Sequence, residues 1–175
     1  LAPGQPTYRI LVAEDVPENQ QFLVTLLTSV GFEVNVVGNG VEAIERWQTW
    51  QPHLILMDIQ MPLMDGYEAT RQIRSREQQR QVEGTERDGT NSPFSSTPII
   101  ALTAYAFAGD QVASLEAGCN AHIGKPFTET VMFEAIAHYL GVNYRYREEI
   151  VAAPSATEQR NLTRQDLEVM PEEWL

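Results

Sequence analysis

A single cysteine, Cys119, stands in this 175-residue chain, so no internal disulfide can form, which suits a reducing compartment. No apolar run approaches the roughly 18 residues of a membrane span. The opening Leu1-Ala-Pro-Gly-Gln-Pro-Thr7 has neither the basic nor the apolar stretch of a signal peptide. A cytoplasmic location is expected, although a longer parent chain can still be membrane-attached. Positive charge is scarce as well: 12 basic residues face 24 acidic ones, for a net charge of −12. Such a surface repels nucleic acid and anionic membrane, so neither is expected as a partner. Lysine is scarcest of all. Eleven of the 12 basic residues are arginine, and Lys125 is the only lysine. Either composition has drifted, or this position needs a compact ammonium in place of a planar guanidinium. What remains is 43% apolar and 21% charged, the make-up of one globular domain with some chain left over.

Hydrophobic period organises residues 8–141. Apolar runs at 8–13, 53–57 and 98–102, an alternating run at 32–37 and a short one at 121–124 read as five strands. Helical spacing follows each in turn. The first helix starts near Pro17 and ends at Val30 before Gly31, and the second runs from Val41 to Trp50. The third spans Tyr67 to about Arg76, the fourth Asp110–Ala117, and the fifth follows a Thr128 cap to about Leu140. Strands that alternate with helices predict a parallel sheet with helices on both faces. Residues 77–97, rich in Gly, Ser, Gln and Thr, read as a fraying helix end followed by a surface loop. Residues 1–7 read as a linker. Residues 142–175 read as a linker and the start of a further helical segment, with a capping box from Thr163 to Asp166. A helix that begins at Pro171 and stops at Leu175 suggests a fragment of a longer protein.

In an open parallel sheet, functional residues gather beyond the carboxyl ends of the strands. Those ends carry Glu14-Asp15, Asp58, Thr103 and Gly124-Lys125. Three carboxylates brought together repel one another unless a cation neutralises them. Oxygen ligands without nearby His or Cys suit Mg²⁺. A carboxylate can itself be a nucleophile toward a phosphoryl group, with lysine and metal stabilising the transferred charge. Asp58, after the central strand, is best placed for that role, and Thr103 can hydrogen-bond a phosphoryl oxygen. Taken singly, each residue has an ordinary reading as a solvated helix start or a turn. Four strand ends and the only lysine arriving at one edge do not.

The pieces Glu14-Asp15, Met57-Asp-Ile-Gln-Met-Pro-Leu-Met-Asp-Gly66, Ala101-Leu-Thr-Ala104 and Lys125-Pro126-Phe127 resemble the receiver domain of two-component response regulators. The resemblance covers residues 8–141. It implies a flavodoxin-like (βα)5 fold, doubly wound, with a five-stranded parallel sheet in the order 2-1-3-4-5. It implies phosphorylation at Asp58, and Mg²⁺ held by Asp15, Asp58 and the backbone carbonyl of Gln60, with Glu14 acting through water. Phosphate contacts from Thr103, the backbone of Ala104 and Lys125, and a cis peptide before Pro126, are implied too. So is a phosphodonor that is a histidine kinase or a histidine phosphotransfer domain, in the same chain or another. Tyr105 and Phe107 would face a partner. Two features depart from the family. His122 stands where Tyr or Phe is usual, which puts an aromatic switch in doubt, and residues 77–97 are about ten longer than the norm.

Two other functions compete. A Mg²⁺-dependent phosphatase or phosphotransferase with an aspartate nucleophile would carry an acid two residues further on, where this chain has Gln60. An interaction module independent of phosphorylation would have lost part of the acid cluster or the lysine, and none is lost. The tail segments 140–146 and 162–175 resemble those that follow receivers in hybrid sensor kinases, and no basic helix-turn-helix is present. His53 and His138 are expected to be surface or helix-face residues, Cys119 a small buried residue at a turn, and Trp47 and Trp50 packing or rim residues.

Overall fold

Ten elements alternate along the chain in a computed structural model that describes residues 5–85, 96–104 and 108–144, all within a unit that ends at Arg145. They are β1 (Arg9–Ala13), α1 (Pro17–Ser29), β2 (Glu33–Val37), α2 (Gly40–Trp50) and β3 (Leu54–Asp58). After them come α3 (Gly66–Thr85), β4 (Ile99–Thr103), α4 (Ala108–Ala117), β5 (Ala121–Gly124) and α5 (Glu129–Leu140). All neighbouring strands pair in parallel, in the order β2-β1-β3-β4-β5. Five strands, five helices and this order are as expected from the sequence.

The near-continuous apolar character of β1, β3 and β4 has a direct cause. Successive side chains point to opposite faces, and both faces are covered. Ile10, Val12, Leu54, Leu56, Ile100 and Leu102 pack on one side, with Leu23, Leu27, Met132 and Ile136 from α1 and α5. Leu11, Ala13, Ile55, Met57, Ile99 and Ala101 pack on the other, with Ala43, Ile44 and Trp47 of α2 and Ala69 and Ile73 of α3. The edge strands β2 and β5 are only partly buried, so polar residues such as Asn35 and His122 are accommodated there. Asn39 caps α2 by accepting from the Glu42 N–H, and Thr128 caps α5 by accepting from the Val131 N–H.

Three expectations need correction. The third helix does not stop near Arg76 but continues to Thr85. Glu, Gln and Arg between 77 and 83 are good helix formers, so low apolar content there does not make a loop. Glu77 is held by Arg74 at 2.7 Å, and the Arg80 guanidinium lies 4.7 Å from the Trp47 ring centre. The remainder of the expected loop, residues 86–95, lies outside the described residues. Arg74 also donates to the carbonyls of Thr97 and Gly118 and to Asn120, which fastens the returning chain.

The second correction concerns the domain's ends. Val142 is buried, and Tyr144 packs against Phe32 and Phe133, with ring centres 6.4 and 5.1 Å away. The Gln5 amide makes a reciprocal pair with the Asn143 backbone, at 2.8 and 2.9 Å. The folded unit therefore extends beyond Gly141 and takes in part of the expected N-terminal linker. The expected tail helices lie outside the described residues.

His53 is the third. It is a fastener at the sheet's amino edge, where its Nδ1 accepts from the Arg9 N–H at 2.9 Å and its N–H donates to the Arg9 carbonyl at 2.8 Å. Burial, then the Arg9 charge, hold its pKa below the ordinary 6.5, against a smaller opposing pull from Glu33. The unfolded chain therefore takes up the proton first as pH falls. Stability from this contact is expected to be complete above about pH 6.5 and to be lost below it. The loss should be under about 1 kcal/mol because the ring is partly exposed. Urea unfolding at pH 7.5 and 5.5 measures it. His53→Asn, which keeps an acceptor near the same place, should show a smaller difference between the two pH values.

His138 is exposed on α5, and Cys119, Trp47 and Trp50 sit as expected.

Candidate functional site

The carboxyl ends of β1, β3, β4 and β5 lie side by side, and backbone bonds fix their heights. Glu14 N–H donates to the Val37 carbonyl, Ile59 N–H to Leu102, and Lys125 N–H to Thr103 at 2.7 Å. The last bond, beside the cis peptide Lys125–Pro126, sets the lysine next to the end of β4.

Four of the expected residues meet there. Carboxylate oxygens of Glu14, Asp15 and Asp58 lie within 4.8 Å of one another, with Glu14 and Asp58 buried and Asp15 exposed. The Lys125 ammonium donates to Glu14 Oε2 at 2.6 Å and to Asp58 Oδ2 at 2.8 Å. Asp58 Oδ1 accepts from the Gln60 N–H at 3.3 Å. Thr103 is buried at the end of β4, and Ala104 is exposed beside it. A cleft of about 420 Å³ opens from Glu14 and Lys125, with Asn19, Ala104, Phe22 and Phe127 among its lining. His122 is partly buried on the edge strand β5, opposite Ala101 in register. Tyr105 and Phe107 lie outside the described residues.

The electrostatics follow from burial. Asp58 has its pKa raised, first by burial and further by the Glu14 charge, with Lys125 and the Gln60 N–H opposing. Burial also pulls the Lys125 pKa down, but its bonds to Asp58 and Glu14 together hold it above the ordinary value. One ammonium thus serves two buried carboxylates, and the exposed Asp15 adds a third. The cluster has room for more positive charge. Its donors are all oxygen, the set that suits a hard divalent cation. Glu14 is bound directly to Lys125, so its carboxylate orients the lysine as well as contributing charge.

Sequence reasoning missed the residues that hold this arrangement. Asn19 Nδ2 donates to Glu14 Oε1 at 3.0 Å, and Gln20 Nε2 donates to the Glu14 backbone carbonyl at 2.6 Å. The available signal was an amide pair in the first turn of α1, close behind the acid pair. Gly66, the last residue of the 57–66 segment, sits against the Asp58 carbonyl, where a Cβ would come within 2.1 Å. Asp65 caps α3 by accepting from the Glu68 N–H at 2.8 Å.

A doubly wound sheet with buried acids and a lysine at its carboxyl edge defines the class of phosphoacceptor signalling domains. Residues 10–137 match the family model for the response regulator receiver domain, and the chain belongs to that family. It is a phosphoacceptor domain of two-component signalling. Among its relatives, the sensor histidine kinase GacS of Pseudomonas protegens is 36% identical over 137 residues, which cover 78% of this chain and 14% of GacS. The chain thus matches only a small part of that protein. The receiver domain of the sensor histidine kinase PA1611 from Pseudomonas aeruginosa, solved with magnesium in its active-site cleft, is 33% identical. Its TM-score is 0.63, over 78% of this chain and all of that one. The receiver domain of Ssk1 from Saccharomyces cerevisiae, co-crystallised with the histidine phosphotransfer protein Ypd1, is 32% identical with a TM-score of 0.67. That match covers 77% of this chain and 89% of that one. No helix among the described residues is long and apolar enough to cross a membrane.

Proposed function

We propose that Asp58 accepts a phosphoryl group from a phosphohistidine, carried by a histidine kinase or a histidine phosphotransfer domain of the same or another chain. An Asp58 oxygen attacks phosphorus as the phosphorus–nitrogen bond breaks, and the freed imidazole takes up a proton. The observation that carries this reading is the Lys125 ammonium, which lies 2.8 Å from Asp58 and 2.6 Å from Glu14. There it can meet charge that develops on a phosphoryl oxygen of Asp58. Thr103 and the Ala104 backbone are assigned to the other phosphoryl oxygens. The GacS likeness supports a parent chain that is a hybrid histidine kinase.

The oxygen donors fit Mg²⁺, which Asp15, Asp58 and the Gln60 carbonyl would hold, with Glu14 alongside. When bound it supplies charge neutralisation for the incoming phosphoryl group. Incubation with acetyl phosphate and Mg²⁺, followed by intact-mass spectrometry, tests the function. A lasting gain of one phosphoryl group supports an acceptor, rapid catalytic release a phosphatase, and no gain a phosphorylation-independent module.

Mg²⁺ affinity should be roughly millimolar, because few protein oxygens are offered and waters complete the shell. Asp15→Asn is expected to weaken it at least tenfold by removing a direct ligand. NMR titration that follows residues 13–16 and 57–60 measures both, and equal midpoints for the two proteins would remove Asp15 from the ligand set.

Lys125→Arg should fold normally yet respond poorly to phosphorylation. A planar guanidinium cannot take the place of one compact charge shared between Glu14 and Asp58. Beryllofluoride, a phosphoryl mimic on Asp58, should shift the amide signals of Thr103, Ala104 and His122 in the wild type and much less in the variant. Equal shifts would show that any cation serves.

A further inference from the structure

Glu14 is fully buried and carries a carboxylate. A charge in that position persists only if donors surround it. Its donors come from three directions. Lys125 holds Oε2 at 2.6 Å, while Asn19 Nδ2 at 3.0 Å and the Val16 N–H at 3.3 Å hold Oε1. Among the described residues, Asn19 is therefore the one side-chain donor to Oε1. The first turn of α1 supplies it: the helix opens on Pro17 with no side-chain cap at Val16, and Asn19 in that turn reaches the Glu14 carboxylate. Gln20, the next residue, ties down the Glu14 backbone at 2.6 Å. Side chain and main chain of Glu14 are both fastened to the start of α1.

Lys125 is shared between Glu14 and Asp58. If the lysine turns toward a group on Asp58, Oε2 loses its partner while Oε1 keeps Asn19. We propose that Asn19 is a positioning residue, whose amide holds the Glu14 carboxylate in place so that the acid cluster takes Mg²⁺ and Lys125 is free to serve Asp58. This inference rests on the site reading given above. Asn19 acts only through Glu14, to whose Oε1 it donates. A packing role for Asn19 within α1 is the plain alternative, and the two differ in what a donor-free side chain of similar size does.

Asn19→Leu keeps the size and removes the donor, and Asn19 is only partly buried, so the variant should fold. Asn19→Gln keeps the amide on a longer stem. The experiment is an Mg²⁺ titration of the full 175-residue chain by NMR, which follows residues 13–16 and 57–60, with thermal unfolding of each metal-free protein alongside. Loss of an outer partner of a metal site commonly costs about tenfold in affinity. The expected result is a midpoint raised about tenfold in Asn19→Leu, partly restored in Asn19→Gln, with both metal-free proteins folded. A midpoint in Asn19→Leu equal to that of the wild type overturns the proposal, as do equally weakened midpoints in both variants, which would make shape and not the donor decisive. Wild-type protein that shows no Mg²⁺-dependent shifts at tens of millimolar would sink the site reading itself, and the inference with it.

Discussion

Asp58→Asn is expected to abolish acid-labile phosphorylation by acetyl phosphate, a loss of the whole signal in intact-mass spectrometry. The amide cannot attack phosphorus as a carboxylate does, and among the described residues Asp58 is the buried acid that touches both Lys125 and the end of the central strand. Full labelling of the variant at another residue would move the phosphoacceptor elsewhere. The same substitution should also raise the thermal midpoint of the metal-free protein. Asp58 titrates above the ordinary 3.8 chiefly because its burial penalises the charge. Keeping it ionised in the folded state at neutral pH therefore costs stability, and a neutral isostere removes that cost. Asn still leaves Lys125 paired with Glu14, so no charge is stranded. A lower midpoint in the variant would mean that the Lys125 pair outweighs the burial of Asp58.

Gly66→Ala should be the most damaging small substitution in the domain. The added Cβ would stand 2.1 Å from the Asp58 carbonyl oxygen and 2.9 Å from Met57 Cγ. The first of these is backbone, so the whole start of α3 must move away from the end of β3. That start is tied in place by the Gly66 N–H donating to the Ile59 carbonyl and by Thr70 donating to the Gly66 carbonyl. A cost of about 3 kcal/mol or more is expected, at the upper end of overpacking effects. Urea unfolding should show a lower midpoint with little change in slope. The displaced loop carries Gln60, so labelling at Asp58 should slow as well. Gly38→Ala is the control: nothing lies within 4 Å of its added Cβ, and the change should be within about 0.5 kcal/mol. Similar losses in the two variants would show that helix-end glycine in general, and not the contact with Asp58, sets the effect.

Much of this site could be read without coordinates because parallel α/β sheets obey a simple rule. Period alone places Glu14, Asp58, Thr103 and Lys125 at the ends of strands, and parallel pairing sends all those ends to one edge. What period cannot supply is the partner of each group. Asn19 and Gln20 read as ordinary polar residues of an exposed helix face, since nothing in a one-dimensional pattern says that the helix start bends back over Glu14. The role of Gly66 was hidden for a related reason. A glycine in a loop motif suggests a turn, whereas here the demand comes from the close approach of β3, which only packing reveals.

The errors share a cause too. The outer turns of α3 carry few apolar residues and so give little periodic signal, yet Glu77 accepts from the Thr97 N–H and Arg80 lies over the Trp47 ring, tertiary contacts that hold polar residues in helix. Val142 and Tyr144 read as linker because two apolar residues among polar ones make no periodic signal, whereas in the fold Val142 joins the core and Tyr144 packs on Phe32 and Phe133. The sequence by itself determined the layering, the strand count and the residues at the carboxyl edge, because those follow from local hydrophobic period and from the chirality of crossovers. Only the tertiary structure decided that one lysine is shared by two buried acids, because that contact joins residues 111 positions apart in sequence, and that α1 fastens Glu14, because which way its first-turn amides point depends on how the helix packs over the strand end.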